Sequence, residues 1–250
     1  VPSRKLVFND LVKGKLDFDT GLIGDFVIMK SNGIPTYNFA VVVDDAEMRI
    51  SHVIRGEDHI SNTPKQILIY EALGISSPEF AHVGMILAPD KTKLSKRHGA
   101  TAVSEFIEQG YLPEAFVNFL SLLGWSPADG EELKSLTELI DAFSIERISP
   151  SPAVFEFDKL NWMNGYYIRH MDISELTNRA IHYLGQYDLA MYSRQQLETI
   201  VSAVREPLTT LSDITDAVSY FFKDTVDIDE AVKKDVLESQ ETQTILPEFL

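Results

Sequence analysis

Apolar and polar positions divide the chain into a front part of short alternations and a rear part with helical spacing. Over residues 1 to 30, Leu6-Val7-Phe8, Leu16-Asp17-Phe18 and Phe26-Val27-Ile28-Met29, punctuated by Gly14, Gly21 and Gly24, predict small β-strands. Ser31-Asn32-Gly33 is a turn signal, so the chain should enter Ile34-Pro35-Thr36-Tyr37 out of a hairpin. From Tyr37 to Met48 periodicity alone does not separate helix from strand; the expected element is a short helix ended near Asp44-Asp45. Ile50 to Ile54 reads as a strand running into the polar cluster Arg55-Gly56-Glu57-Asp58-His59. Asn62-Thr63-Pro64 should start a helix with a capping side chain and Pro in the first turn. Gln66, Ile67, Leu68, Tyr70 and Leu73 would form its apolar stripe and Gly74 its stop. Phe80 to Leu87 is the next expected strand, followed by a loop.

Beyond Gly99 the spacing turns helical. Val103, Phe106 and Ile107 mark one helix, and Ala115, Phe116, Phe119, Leu120 and Leu123 a second, capped by Gly124. Ser135-Leu136-Thr137-Glu138 is a capping box ahead of Leu139, Ile140 and Phe143. Ser149-Pro150-Ser151-Pro152 should be a rigid connector. Phe157-Asp158 should open a helix that stops at Gly165. Helical segments then recur at 173–185, 193–206, 210–222 and about 228–239, the second opened by a capping box at Ser193. The succession strand, polar cluster, helix, strand, loop is half of a doubly wound α/β unit, in which ligands sit beyond the carboxyl ends of the strands. The fold class expected is therefore α/β followed by all-α.

Composition adds limits. The 250 residues, 44% apolar, suffice for one large domain or two to three smaller ones. No apolar run approaches a membrane span. Without cysteine the chain forms neither disulfides nor a thiolate zinc site, which fits a reducing, cytoplasmic setting. A net charge of -16 argues against a nonspecific nucleic-acid coat, and Asp224 to Glu241 carry much of the acid as a solubilising face or frayed end. Against that background Ala88-Pro89-Asp90-Lys91-Thr92-Lys93-Leu94-Ser95-Lys96-Arg97-His98-Gly99 stands out, with four of the 22 Lys and Arg inside seven residues. It is a solvated surface loop or a polyphosphate site. Ammonium groups on a mobile loop can follow an anion's charge and act more strongly once water is shut out.

The ordered set Gly33-Ile34-Pro35-Thr36-Tyr37, Val43-Asp44-Asp45, Ile54-Arg55-Gly56-Glu57-Asp58-His59-Ile60-Ser61-Asn62-Thr63-Pro64 and Pro89 to Arg97 resembles the second half of the catalytic core of bacterial-type glutamyl-tRNA synthetases. These are class I aminoacyl-tRNA synthetases. Lys93-Leu94-Ser95-Lys96-Arg97 is similar to their KMSKS signature, and Phe157 to Gly165 to the helical region after the core. The resemblance implies ATP-dependent activation of glutamate to its adenylate and transfer to tRNA, by positioning and phosphate neutralisation without a covalent nucleophile. It implies that Lys96 and Lys93 act on the phosphates, that Leu94 offers its backbone near the adenine, and that Met85 and Ile86 pack on and bond the adenine. Asp58 and His59 would lie near the ribose and adenine. Arg55 would hold the α-carboxylate of glutamate with its planar fork, and Tyr37 the side-chain carboxylate.

Each residue also has a structural reading: Tyr37 as core, Arg55 paired with Glu57 or Asp58, His59 as a cap, Met85 and Ile86 as strand core. The resemblance further implies Mg2+ with the ATP, no zinc, L-glutamate and tRNA(Glu), with tRNA(Gln) as a second acceptor, a monomer, and no membrane. Salt-dependent stem contacts would run through Lys159, Arg169, His170 and the basic loop. The domains implied are 1–35, the end of an inserted acceptor-stem domain; 36–110, the Rossmann-like half with the KMSKS-type loop; 111–170, a stem-contact helical region; and 171–250, the start of an anticodon-binding domain. The His-Ile-Gly-His signature of the class is not in the sequence, so the segment should be an internal piece that is not competent by itself. A tRNA-gripping paralogue, a tRNA-base glutamylase and glutaminyl-tRNA synthetase are the rivals. The helical region after 158 weighs against the last two.

Overall fold

The computed structural model describes residues 1–95, 97, 99 and 102–223. It divides into two compact units, Val1–Tyr167 and Ile168–Leu250. The expected helix at about 228–239 lies outside the described residues, as do Lys96 and His98.

The first unit is built on a four-stranded sheet of order β2-β1-β4-β3. β1 (Lys5–Asp10) and β2 (Gly14–Asp19) form an antiparallel hairpin in register from Lys5↔Asp19 to Asp10↔Gly14. Gly14 takes a φ of 74°, which a side chain would strain. The Asp10 carboxylate accepts the Val12 and Lys13 amides at 3.0 and 2.8 Å and so shapes the turn. β3 (His52–Gly56) runs parallel to β4 (Glu79–Val83), and β4 touches β1 in parallel at Asp10↔Phe80. The third alternation, Phe26–Met29, is not a strand. Asp19 caps a short helix α1 (Thr20–Ile23), and the later segment makes one bridge, Met29 to Pro35. That bridge closes the expected turn, with Gly33 at φ 81° and mutual bonds between Lys30 and Gly33–Ile34.

Two helices cover one core against this sheet. α2 (Tyr37–Glu47) extends past Asp44-Asp45, and α3 (Thr63–Leu73) ends at left-handed Gly74 as expected. Val42, Ile69, Tyr70 and Phe80 are its buried centre, flanked by Phe8, Phe39 and Val53. The buried stripe of α3 is Thr63, Pro64, Gln66, Ile69 and Tyr70, so Ile69 takes the place expected of Leu68 and Leu73. Asn62 does not cap; its side chain turns to His59 instead.

The expected strand Phe80–Leu87 is broken. β4 stops at Val83, and β5 (Ile86–Leu87) leaves for a second sheet with β6 (Ala153–Val154). The break lies at Gly84, where a Cβ would stand 2.2 Å from the Ser151 carbonyl oxygen. Helices α4 (Val103–Glu108), α5 (Pro113–Ser121), α6 (Leu136–Ala142) and α7 (Phe157–His170) follow. Phe106, Tyr111, Phe119, Phe155, Leu160 and Met163 form their aromatic core, and the Leu94 side chain packs against it. The Ser135–Glu138 capping box is present. α7 runs straight through buried Gly165, where a stop was expected. The neighbouring Asn164 Oδ1 accepts the Leu112 amide at 2.8 Å, bringing the start of α5 against this part of the helix. Buried Asn118 ties this unit together: its Oδ1 accepts from the Lys134 amide (3.0 Å) and the Tyr167 hydroxyl (2.8 Å), and burial pushes Tyr167 up to about 12.

The second unit, in its described part, holds α8 (Ile173–Ala180), α9 (Arg194–Val204) and α10 (Ile214–Ala217). Leu176, Leu184, Val201, Leu208 and Ile214 are buried in it. The Ser193 capping box is formed with Gln196.

Candidate active site

The carboxyl ends of parallel strands β3 and β4 carry the polar cluster, as sheet topology requires of a ligand crevice. Arg55 sits at the end of β3, and its guanidinium is held from inside. Nε donates to His82 Nε2 at 3.2 Å, while Nη2 donates to Thr63 Oγ1 and Gln66 Oε1, both at 2.7 Å. The plane also lies over the Phe80 ring, 5.6 Å from its centroid. Three of the five N–H donors of an arginine are therefore spent, and Nη1 is the nitrogen these bonds leave over, with the Tyr37 hydroxyl as a further hydrogen-bond partner of the guanidinium. A side-on fork would need an Nη2 hydrogen already given to Thr63 or Gln66. Burial lowers Arg55 from its ordinary value, and the adjacent Tyr37 phenol opposes that shift. The pairing with Glu57 or Asp58 left open by the sequence is not the arrangement found, since Glu57 takes the Lys13 ammonium at 2.5 Å.

Behind Arg55 lies a buried pair that sequence reasoning missed. His82 and Asp10, 0% and 1% exposed, meet at 2.5 Å through Nδ1 and Oδ2. Burial lowers His82 from its ordinary value, against the pull of Asp10. Burial would raise Asp10, but bonds from the Lys13, His82 and Val12 amides and the His82 ring outweigh it and hold it low. Arginine can only donate, so Nε2 must be the acceptor and Nδ1 carries the proton. The alternation Leu6, Phe8, Asp10 places a carboxylate on the core-facing side of β1. That polar residue at an apolar phase is the signal the sequence offered.

Tyr37, at the start of α2, is 53% exposed, with its ring 5.9 Å from that of His59 and its hydroxyl 3.4 Å from His59 Nδ1. Tyr37, Arg55 and His59 thus gather on one side. Asp58 is exposed and folds over Gly56, where a Cβ would lie 2.6 Å from its Oδ1. Met85 is tied at both backbone groups: its amide donates to Glu57 Oε1 at 3.2 Å and its carbonyl accepts from Ala153 at 3.0 Å. Ile86 lies beside it in β5. The basic loop folds back on that strand through a Leu87–Lys93 bridge, a turn at Lys91 (φ 62°) and an Asp90 carboxylate bonded to Thr92. Lys93 is exposed. Lys159, expected to meet RNA, holds Glu132 at 2.5 Å. Among the described residues no three His, Asp or Glu side chains gather so as to hold a metal ion, and no helix is long and apolar enough to cross a membrane.

Residues 1–162 match the family model described as tRNA synthetases class I (E and Q), catalytic domain. The chain belongs to this family. Residues 175–250 match a second model, described as an anticodon binding domain, so this class I synthetase segment spans a catalytic and an anticodon portion. Among relatives, glutamate–tRNA ligase 1 of Caldanaerobacter subterraneus subsp. tengcongensis is 55% identical over 90% of the chain and 47% of its own length. The glutamate–tRNA ligase of Carboxydothermus hydrogenoformans is 49% identical over 97% and 52%. A crystal structure of a glutamate tRNA ligase from Elizabethkingia meningosepticum, in complex with its amino acid, superposes with a TM-score of 0.85. It is 34% identical and covers 98% of this chain and 52% of that one. The chain spans about half the length of these class I synthetases.

Proposed function

We propose that the full-length protein carrying this chain is a glutamate–tRNA ligase. It activates glutamate with ATP to glutamyl-adenylate and passes the acyl group to tRNA(Glu). The observation that carries the reading is a half-buried guanidinium, Arg55, beside the Tyr37 phenol at the carboxyl end of β3, on a chain whose relatives are glutamate–tRNA ligases. Arg55 Nη1 takes the α-carboxylate of glutamate and Tyr37 its side-chain carboxylate. Asp58 and His59 border the ribose. Ile86 and Leu94 face the adenine with their backbones, and Met85 packs against it, its own backbone being bonded within the fold. Lys93 and Lys96 neutralise the phosphates, and Mg2+ arrives with the ATP. The same reading gives 1–35 to the end of an acceptor-stem insertion, 36–110 to the nucleotide half, 111–170 to stem contact and 171–250 to anticodon reading. It also gives a cytoplasmic monomer, with tRNA(Gln) as a second acceptor.

Pyrophosphate exchange and charging assays on the full-length protein test this. Exchange should depend on glutamate and fall at least about a hundredfold in Lys96→Ala. Exchange driven by glutamine rather than glutamate, or unchanged by Lys96→Ala, refutes it. Charging of tRNA(Glu) against tRNA(Gln) transcripts decides the acceptor range.

A further inference from the structure

We propose that Asp10 and His82 are positioning residues for substrate binding: Asp10 fixes the His82 tautomer, and His82 fixes the direction in which Arg55 presents Nη1. The inference rests on the reading that Arg55 holds the carboxylate of the amino acid. Three observations carry it. The Asp10–His82–Arg55 chain is continuous, at 2.5 and 3.2 Å. Both inner members are buried, so water does not substitute for a lost partner. Three donors of Arg55 are fixed by His82, Thr63 and Gln66, so a rotation of the guanidinium breaks all three bonds at once.

Asp10 also accepts the Val12, Lys13 and His82 amides, and all three bonds go to Oδ1. Oδ2 is the atom on the ring. This division makes a clean perturbation possible. In Asp10→Asn, Oδ1 keeps the three amides and Nδ2 presents hydrogens to His82 Nδ1. The ring must then carry its proton on Nε2, where it can donate to Thr63 Oγ1 at 3.0 Å but no longer accepts the Arg55 Nε–H.

The experiment measures amino-acid and ATP dependences of pyrophosphate exchange separately, on the full-length protein. Asp10→Asn should raise the glutamate KM about tenfold or more and leave the ATP KM within about twofold. Nitrogen-15 shifts of the His82 side chain should report the moved proton. His82→Gln, whose amide oxygen can reach the Nε2 position, should restore most of the affinity, and His82→Leu should not. Arg55→Lys tests the underlying reading. If it leaves the glutamate KM unmoved, the assignment of Arg55 to the carboxylate falls. If it raises that KM while Asp10→Asn moves the proton without effect, the positioning role alone is overturned. Should Asp10→Asn not fold, equal glutamate KM values in His82→Gln and His82→Leu overturn it instead.

Discussion

Replacing Gly84 by alanine puts a methyl carbon where the Ser151 carbonyl oxygen stands 2.2 Å away and the carbonyl carbon 2.5 Å away. The obstacle is backbone, so no side chain can swing aside. To reach ordinary contact the two segments must part by roughly 1 Å. The bonds that join them, Ala153 N–H to Met85 O at 3.0 Å and Phe155 N–H to Leu87 O at 2.8 Å, then stretch past useful length. Each is worth about 0.5–1.5 kcal/mol net, so the pair accounts for about 1–3 kcal/mol. Phe155, 3% exposed in the aromatic core, shifts with β6 and adds to that loss. Hydrogen exchange on the full-length protein reads the site directly. The Ala153 and Phe155 amides should exchange about ten- to a hundredfold faster in Gly84→Ala, while amides of β1 keep their rates. Unchanged protection at both amides would refute the claim that close approach at Gly84 sets the break between β4 and β5.

Other outcomes follow from the same geometry. Asn118→Ala removes a fully buried side chain that serves the Lys134 amide and the Tyr167 hydroxyl, and should cost about 2–4 kcal/mol in denaturant unfolding. His82 has a value below its ordinary 6.5, so its contribution to stability is whole above pH 6.5 and is lost as pH falls through the folded value. The loss from Asp10 follows below 3.8, and unfolding midpoints measured from pH 8 to 4 should decline on the acid side and not the alkaline. Tyr37→Phe, at an exposed position, should leave those midpoints unchanged and raise the glutamate KM about tenfold.

Most elements were legible because their signals are local. Gly74 ends α3, and Ser135 and Ser193 cap their helices, because turn and cap chemistry needs only neighbours in sequence. The Phe80–Leu87 run misled because its apolar residues serve two sheets. What divides them is Ser151, about seventy residues away, which no periodicity reports. Gly165 misled because a glycine inside a helix and one ending it look alike in sequence. At the site, Arg55 and His59 stood out in sequence as part of a polar cluster after a predicted strand, and Tyr37 entered only through the family resemblance. Their supports were not legible. His82 and Gln66 sit within apolar segments, and only the fold brings them to Arg55. The donor count at Arg55 likewise needed the positions of Thr63 and Gln66.

The hairpin turn after β1 serves two masters. Asp10 braces His82, and three residues later Lys13 reaches Glu57, the acid that holds the Met85 amide. One short bend therefore splints two walls of the crevice at once, and its length is as constrained as any side chain in it. An insertion between Asp10 and Gly14 would slacken both walls together. A library that varies surface loops should leave this bend alone.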